Sequence, residues 1–113
     1  MARSEQRPDE RMGYKMKLTL KIYVDERPYY QDDEELNQEN SLEFVQVGAL
    51  TAQMAQVEDF PDKAVVLHVL PEYGKGLFML RFGPGIETMN ESALNDFINA
   101  AWPKHCAKNG WKF

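Results

Sequence analysis

Val65-Val66-Leu67-His68-Val69-Leu70 and Leu77-Phe78-Met79-Leu80-Arg81-Phe82 are two mostly apolar runs. Between them lies Pro71-Glu72-Tyr73-Gly74-Lys75-Gly76, a segment rich in turn formers. Side chains alternate faces along a strand, so pairing Leu70 with Leu77 fixes every other pair in the hairpin. One face then carries Val69/Phe78, Leu67/Leu80 and Val65/Phe82, all apolar. The other carries Leu70/Leu77, His68/Met79 and Val66/Arg81, which is mixed. The hairpin is expected to give its first face to the core and to leave the second half-exposed or in an interface.

Upstream, Tyr14, Met16, Leu18, Leu20, Ile22 and Val24 alternate with Lys15, Lys17, Thr19, Lys21 and Tyr23, the pattern of a half-buried strand. Its lysines are expected on the sheet face that also carries His68, Met79 and Arg81. Residues 25–40 hold almost nothing apolar except Leu36 and read as an acidic loop, too polar to order itself. Ser41 is suited to cap a following helix. There Val47, Leu50, Met54 and Val57 recur at helical spacing and form the expected core stripe. Gly48 opposes that helix, while Ala49, Ala52 and Ala55 favour it. Phe60-Pro61-Asp62 ends it and delivers the chain to the hairpin.

Downstream, Gly83-Pro84-Gly85 breaks the chain, and Thr88-Met89-Asn90-Glu91 has the form of a capping box. Leu94, Phe97, Ile98 and Ala101 give the stripe of a second amphipathic helix. Pro103 is expected to end or kink it near Ala101. A short piece from Lys104 to Asn109 would then stop at Gly110, with Trp111 and Phe113 folding back onto the core. Residues 1–13 are polar and aperiodic and read as a mobile tail. The remainder, 14–113, reads as a single α+β domain of order β-α-β-β-α. Its expected form is a three-stranded sheet with two helices packed on one face. A right-handed crossover would set the first two strands parallel.

That order, with Phe60-Pro61-Asp62 leading into the second strand and Trp102 late in the last helix, resembles the DinI-like regulators of recombinase filaments. The resemblance spans roughly Met16 to Trp111. The acidic insertion and the lack of an acidic C-terminal helix depart from that pattern, and no functional residue carries over.

At 113 residues the chain is sized for one core. No apolar run approaches the roughly 18–20 residues that span a bilayer, and the N-terminus lacks the apolar core of a signal peptide. A single cysteine, Cys106, excludes an internal disulfide framework. A cytoplasmic protein with no membrane contact is expected. The net charge of −5 is unevenly spread: +3 over residues 1–24, −7 over 25–43 and −1 over 44–113.

No catalytic constellation is visible. His68 has no orienting partner nearby in sequence. His105 and Cys106 are adjacent, which on a helix points them about 100° apart, and such a cysteine behaves as a small buried hydrophobe. Two histidines and one cysteine are too few for a zinc site. Residues 25–43 lack the spacing of a calcium loop, and neither Gly83-Pro84-Gly85 nor Gly74-Lys75-Gly76 is a phosphate loop. No enzyme activity, metal or cofactor is expected.

Two surfaces remain. The first comprises Asp25, Glu26, Tyr29, Tyr30, Asp32, Asp33, Glu34, Glu35, Glu39 and Glu43. Such a run is commonly just a solvated segment. Carboxylates near phosphate spacing can also enter a basic nucleic-acid channel on another protein, in the style of DNA-mimicking inhibitors from phages and mobile elements. The tyrosines would then be apolar anchors. The second surface is the sheet face with Lys15, Lys17, Lys21, Tyr23, His68, Met79 and Arg81. Basic groups interleaved with an aromatic suit single-stranded nucleic acid or a nucleotide, although lysines on a strand also guard against edge-to-edge aggregation. The reading that follows is a small inhibitor or modulator of a nucleic-acid-handling protein. The alternatives are a nucleic-acid or nucleotide binder using the lysine face, and a homodimerising structural or assembly subunit.

Overall fold

A computed structural model describes residues 15–84 and 89–111. The expected tail, Tyr14, Gly85, Thr88 and Phe113 lie outside the described residues. The elements are β1 (Met16–Val24), β2 (Arg27–Leu36), α1 (Gln38–Met54), β3 (Val65–Pro71), β4 (Phe78–Phe82) and α2 (Glu91–Asn109). A π-helical turn, Ala55–Asp59, extends α1. The protein is a small single-domain α+β fold with an antiparallel sheet of order β2-β1-β3-β4.

The β3–β4 hairpin has the register that alternation dictates. Val65 faces Phe82, Val66 faces Arg81, Leu67 faces Leu80, His68 faces Met79 and Val69 faces Phe78. Leu18, Leu20 and Ile22 of β1 join Val65, Leu67 and Val69 of β3 on the covered face, all essentially sealed from solvent. Each such residue contributes roughly 1.5–3 kcal/mol on burial.

The expected three strands are four. Residues 25–40 are not a loop: Asp25-Glu26 forms a two-residue turn, and the chain returns along β1 as β2. Both turn residues have positive φ, 51° and 69°, the combination that matches the twist of a tight hairpin. Backbone pairing with β1 supplies the order that side-chain burial could not; of β2 only Leu36 is buried. The extra reversal also corrects the direction of the next strand. β3 runs antiparallel to β1, so α1 crosses between β2 and β3, two like-directed strands with β1 between them. The observed ββαββα order removes the topological basis of the DinI-like resemblance.

Both helices cover the apolar face, antiparallel to each other. Gln46 Nε2 donates to Asn99 Oδ1 at 2.9 Å, and Trp102 Nε1 donates to Ser41 Oγ at 3.1 Å. The α1 cap is Asn37 and not Ser41, because Asn37 and Asn40 exchange reciprocal side-chain-to-backbone bonds. Ser41 is buried inside the helix. Asn90 caps α2, accepting from the Ala93 amide.

Pro103 does not end α2, which runs on to a left-handed cap at Gly110. Trp102 and His105, on either side of the proline, pack with Phe78 and Trp111 at centroid distances of 4.7–6.1 Å. That aromatic burial offsets the roughly 3 kcal/mol cost of an internal proline. Trp111 closes over the β3–β4 turn, its indole N–H donating to the Lys75 carbonyl.

The core stripe of α1 is also not the expected one. Val45, Ala49 and Ala52 are sealed against the sheet and α2, whereas Val47, Met54 and Val57 are 55%, 48% and 38% exposed. Gly48 shows why. A Cβ there would overlap Leu20 Cδ1, so at this crossing point α1 lies too close to the sheet to admit a side chain. Phe97 of α2, expected in its stripe, likewise faces solvent.

Candidate interaction surfaces

Strand alternation divides the acidic run between two faces. Glu34 and Asp32 pair with Leu18 and Leu20 and face the helix side; Glu35 and Asp33 pair with Lys17 and Thr19 and face the open side. Directly opposed residues are side-chain neighbours. On the open side Glu35 therefore lies opposite Lys17, and Asp33 lies on the diagonals to Lys17 and Lys21. On the helix side β1 offers only leucines, so that negative charge has no basic neighbour on β1.

A bulge follows from Pro28, which cannot extend the ladder. The register shifts between Ile22 and Tyr23, Tyr23 faces Pro28, and Tyr29 is left without a ladder partner. Tyr29 turns toward the helix side, where its hydroxyl donates to Asp59 Oδ2 at 2.9 Å and its ring meets Phe60 edge-on at 5.4 Å. The carboxylate that accepts its proton holds the Tyr29 pKa above the usual phenol value, helped by desolvation and by the Asp59 charge.

Asp59 is brought there by the wide π turn, which closes through Phe60 N–H on the Ala55 carbonyl at 2.9 Å. Such turns are frequent at functional sites. Between Tyr29 and the outer face of α1 lies a groove of about 350 Å³ lined by Tyr29, Val47, Leu50, Thr51, Met54 and Asp59. Glu43 on the outer face, with Glu58 and Asp59 beyond Met54, puts carboxylates at both ends of this apolar strip.

Of the ten acidic-surface residues, the fold therefore gathers Tyr29, Tyr30, Asp32, Glu34 and Glu43 on the helix side. It separates Asp33 and Glu35, which face the other way. Asp25 and Glu26 sit in the turn, where Asp25 Oδ2 pairs with Lys63 Nζ at 3.4 Å. Glu39 lies in the first turn of α1, where a negative charge complements the helix dipole. Val47, Met54, Glu58 and Asp59 were not among the sequence candidates. The spacing of Val47 and Met54 was visible, but it signalled core.

The second set falls on the open face, with Lys15 just before β1. One row across the sheet is Lys21, His68 and Met79, and the next is Tyr23, Val66 and Arg81. The Tyr23 and His68 rings lie 4.9 Å apart at 56°. Partial burial, reinforced by the Lys21 charge, lowers the His68 pKa and favours the neutral ring. A cavity of about 370 Å³ opens here toward Asp25 and Glu26.

His105 and Cys106 form no nucleophile pair. His105 is enclosed by the aromatic cluster, and its pKa is lowered by burial and then by Lys108. Burial pushes the Cys106 thiol up to about 11, which suppresses the thiolate. Among the described residues, no three His, Cys, Asp or Glu side chains come together as a metal site, and no helix is long and apolar enough to cross a membrane. No protein family, curated protein or solved structure matches this chain.

Proposed function

We propose that this chain is a non-catalytic protein-binding module, and that its partner is a nucleic-acid-handling protein whose basic channel it occupies. The observation that carries the reading is the exposed pair Val47 and Met54, with half-buried Leu50 between them, beside Tyr29 and bracketed by Glu43, Glu58 and Asp59. Exposed apolar residues rimmed by charge suit a protein interface. The sign of the rim selects a partner with lysines and arginines around an apolar patch. On the helix side of β2, Asp32 and Glu34 stand two residues, about 6.8 Å, apart and extend the acidic rim of the groove.

The test begins with affinity capture from nuclease-treated lysate, followed by purification of the captured protein. The chain is expected to displace double-stranded DNA from that protein. Asp32→Lys with Glu34→Lys, and separately Val47→Asp with Met54→Asp, should each abolish displacement while the thermal transition stays in place. A captured protein whose DNA binding is untouched, or displacement that survives both double variants, would overturn the proposal.

A further inference from the structure

The open sheet face carries a second site that shares no side chain with the Tyr29–Asp59 groove. We propose that the cavity over Tyr23 and His68 binds a small planar aromatic ligand bearing amino donors at one end and an anionic group at the other, the pattern of adenosine or cytidine monophosphate.

The floor is the row of Tyr23, Val66 and Arg81 with His68 and Met79 of the next row. Tyr23, His68, Val66 and Met79 make its centre aromatic and apolar, and Met79 stands 54% exposed on it. Because the Tyr23 and His68 rings are tilted by 56°, a planar ligand can lie flat on one ring while meeting the other edge-on, both favourable aromatic geometries. The volume of about 370 Å³ falls within the range of small-molecule sites.

The two ends of the cavity have opposite polarity. At the β1 end the Asp25-Glu26 turn supplies carboxylate acceptors, with Asp25 partly neutralised by Lys63 at 3.4 Å. At the β4 end stands Arg81, two strand spacings or about 10 Å across the row from Tyr23, whose guanidinium suits a phosphate. A phosphate beside Glu26 would be repelled, so one orientation is selected: anion on Arg81, ring over Tyr23 and His68, amino edge toward the turn. A long nucleic-acid strand fits less well. It would have to continue past Asp33 and Glu35, which occupy the β2 margin of the same face.

The experiment is a titration of the full chain with adenosine and cytidine monophosphates, followed by NMR shifts of the Tyr23, His68 and Met79 signals. Saturable shifts confined to this face are expected. Tyr23→Ala and Arg81→Ala should each weaken binding about tenfold or more, and Tyr23→Phe should retain it, since stacking needs the ring and not the hydroxyl. Adenosine, without its phosphate, should lose the share of affinity that depends on Arg81, and uridine monophosphate, without an amino group, should bind more weakly than cytidine monophosphate. Arg81 is exposed on an edge strand, so its removal leaves the fold as an internal control. Absence of saturable shifts up to about 10 mM, or shifts indifferent to both Tyr23→Ala and Arg81→Ala, would overturn the proposal.

Discussion

The two hairpins of this sheet share a geometry and differ in almost everything else. In the β3–β4 hairpin, Val65, Leu67, Val69, Phe78 and Phe82 are buried, and apolar contact fixes the register. In the β1–β2 hairpin, one strand is half-buried and the other exposes all but two of its residues, Asp32 and Leu36. Its register is fixed by the tight turn, the bulge at Pro28 and the backbone ladder. A strand can thus be held by what its side chains bury or by what its backbone pairs with. The second kind leaves its side chains free for other uses.

The largest expected effect lies in the buried hairpin. Leu67→Ala should cost about 3 kcal/mol, whereas Asp32→Ala with Glu34→Ala on β2 should stay within about 0.5 kcal/mol; chemical denaturation measures both. Equal losses would erase the distinction. Next comes the helix that spans the two hairpins. Gly48→Ala should destabilise by about 1–2 kcal/mol, because crowding of Leu20 outweighs the gain in helix propensity, while Met54→Gln on the exposed face should be near neutral. A stabilised Gly48→Ala variant would mean that the helix can lift away from β1.

A smaller effect of opposite sign is expected at the β1–β2 turn. Glu26 holds a left-handed φ of 69°, so Glu26→Gly should stabilise by about 1 kcal/mol, read as a higher melting temperature. The smallest concerns the histidines of the β3–β4 side, His68 and His105, whose folded pKa values are lowered by burial. The fold prefers both neutral, so their full contribution is present above the unfolded value of about 6.5 and is lost as pH falls from there toward the folded values. Proton NMR titration should place both midpoints below 6.5, and His105→Gln should flatten the acid-side fall in melting temperature.

What the sequence made legible follows the same division. The β3–β4 register, the alternation of β1, the stop at Gly110 and the return of Trp111 were all readable, because each rests on burial or a backbone preference that residue types report directly. β2 was hidden because an edge strand with polar residues on both faces has no alternation, and its turn, Asp25-Glu26, lacks the usual glycine. α1 was misread because periodicity finds the most hydrophobic stripe, and the sheet required the smallest one. Ser41, Val45, Gly48, Ala49 and Ala52 keep helical spacing too, but only knowledge of how close Leu20 approaches selects them. Of the candidate groove, the acids and tyrosines could be picked out, whereas Asp59 joins Tyr29 only through a π turn that no residue pattern announces.

The sparse burial of β2 has a consequence for local opening. Detaching Arg27–Glu35 exposes little apolar surface, so the free energy of that opening lies well below that of global unfolding. The amides of β2 should therefore exchange with solvent deuterium by fraying from the sheet, while those of Thr19, Lys21 and His68, which bond across the central β1–β3 pair, wait for the whole domain to unfold. The acidic margin is the part of the protein that can rearrange around a partner without disturbing the sheet behind it.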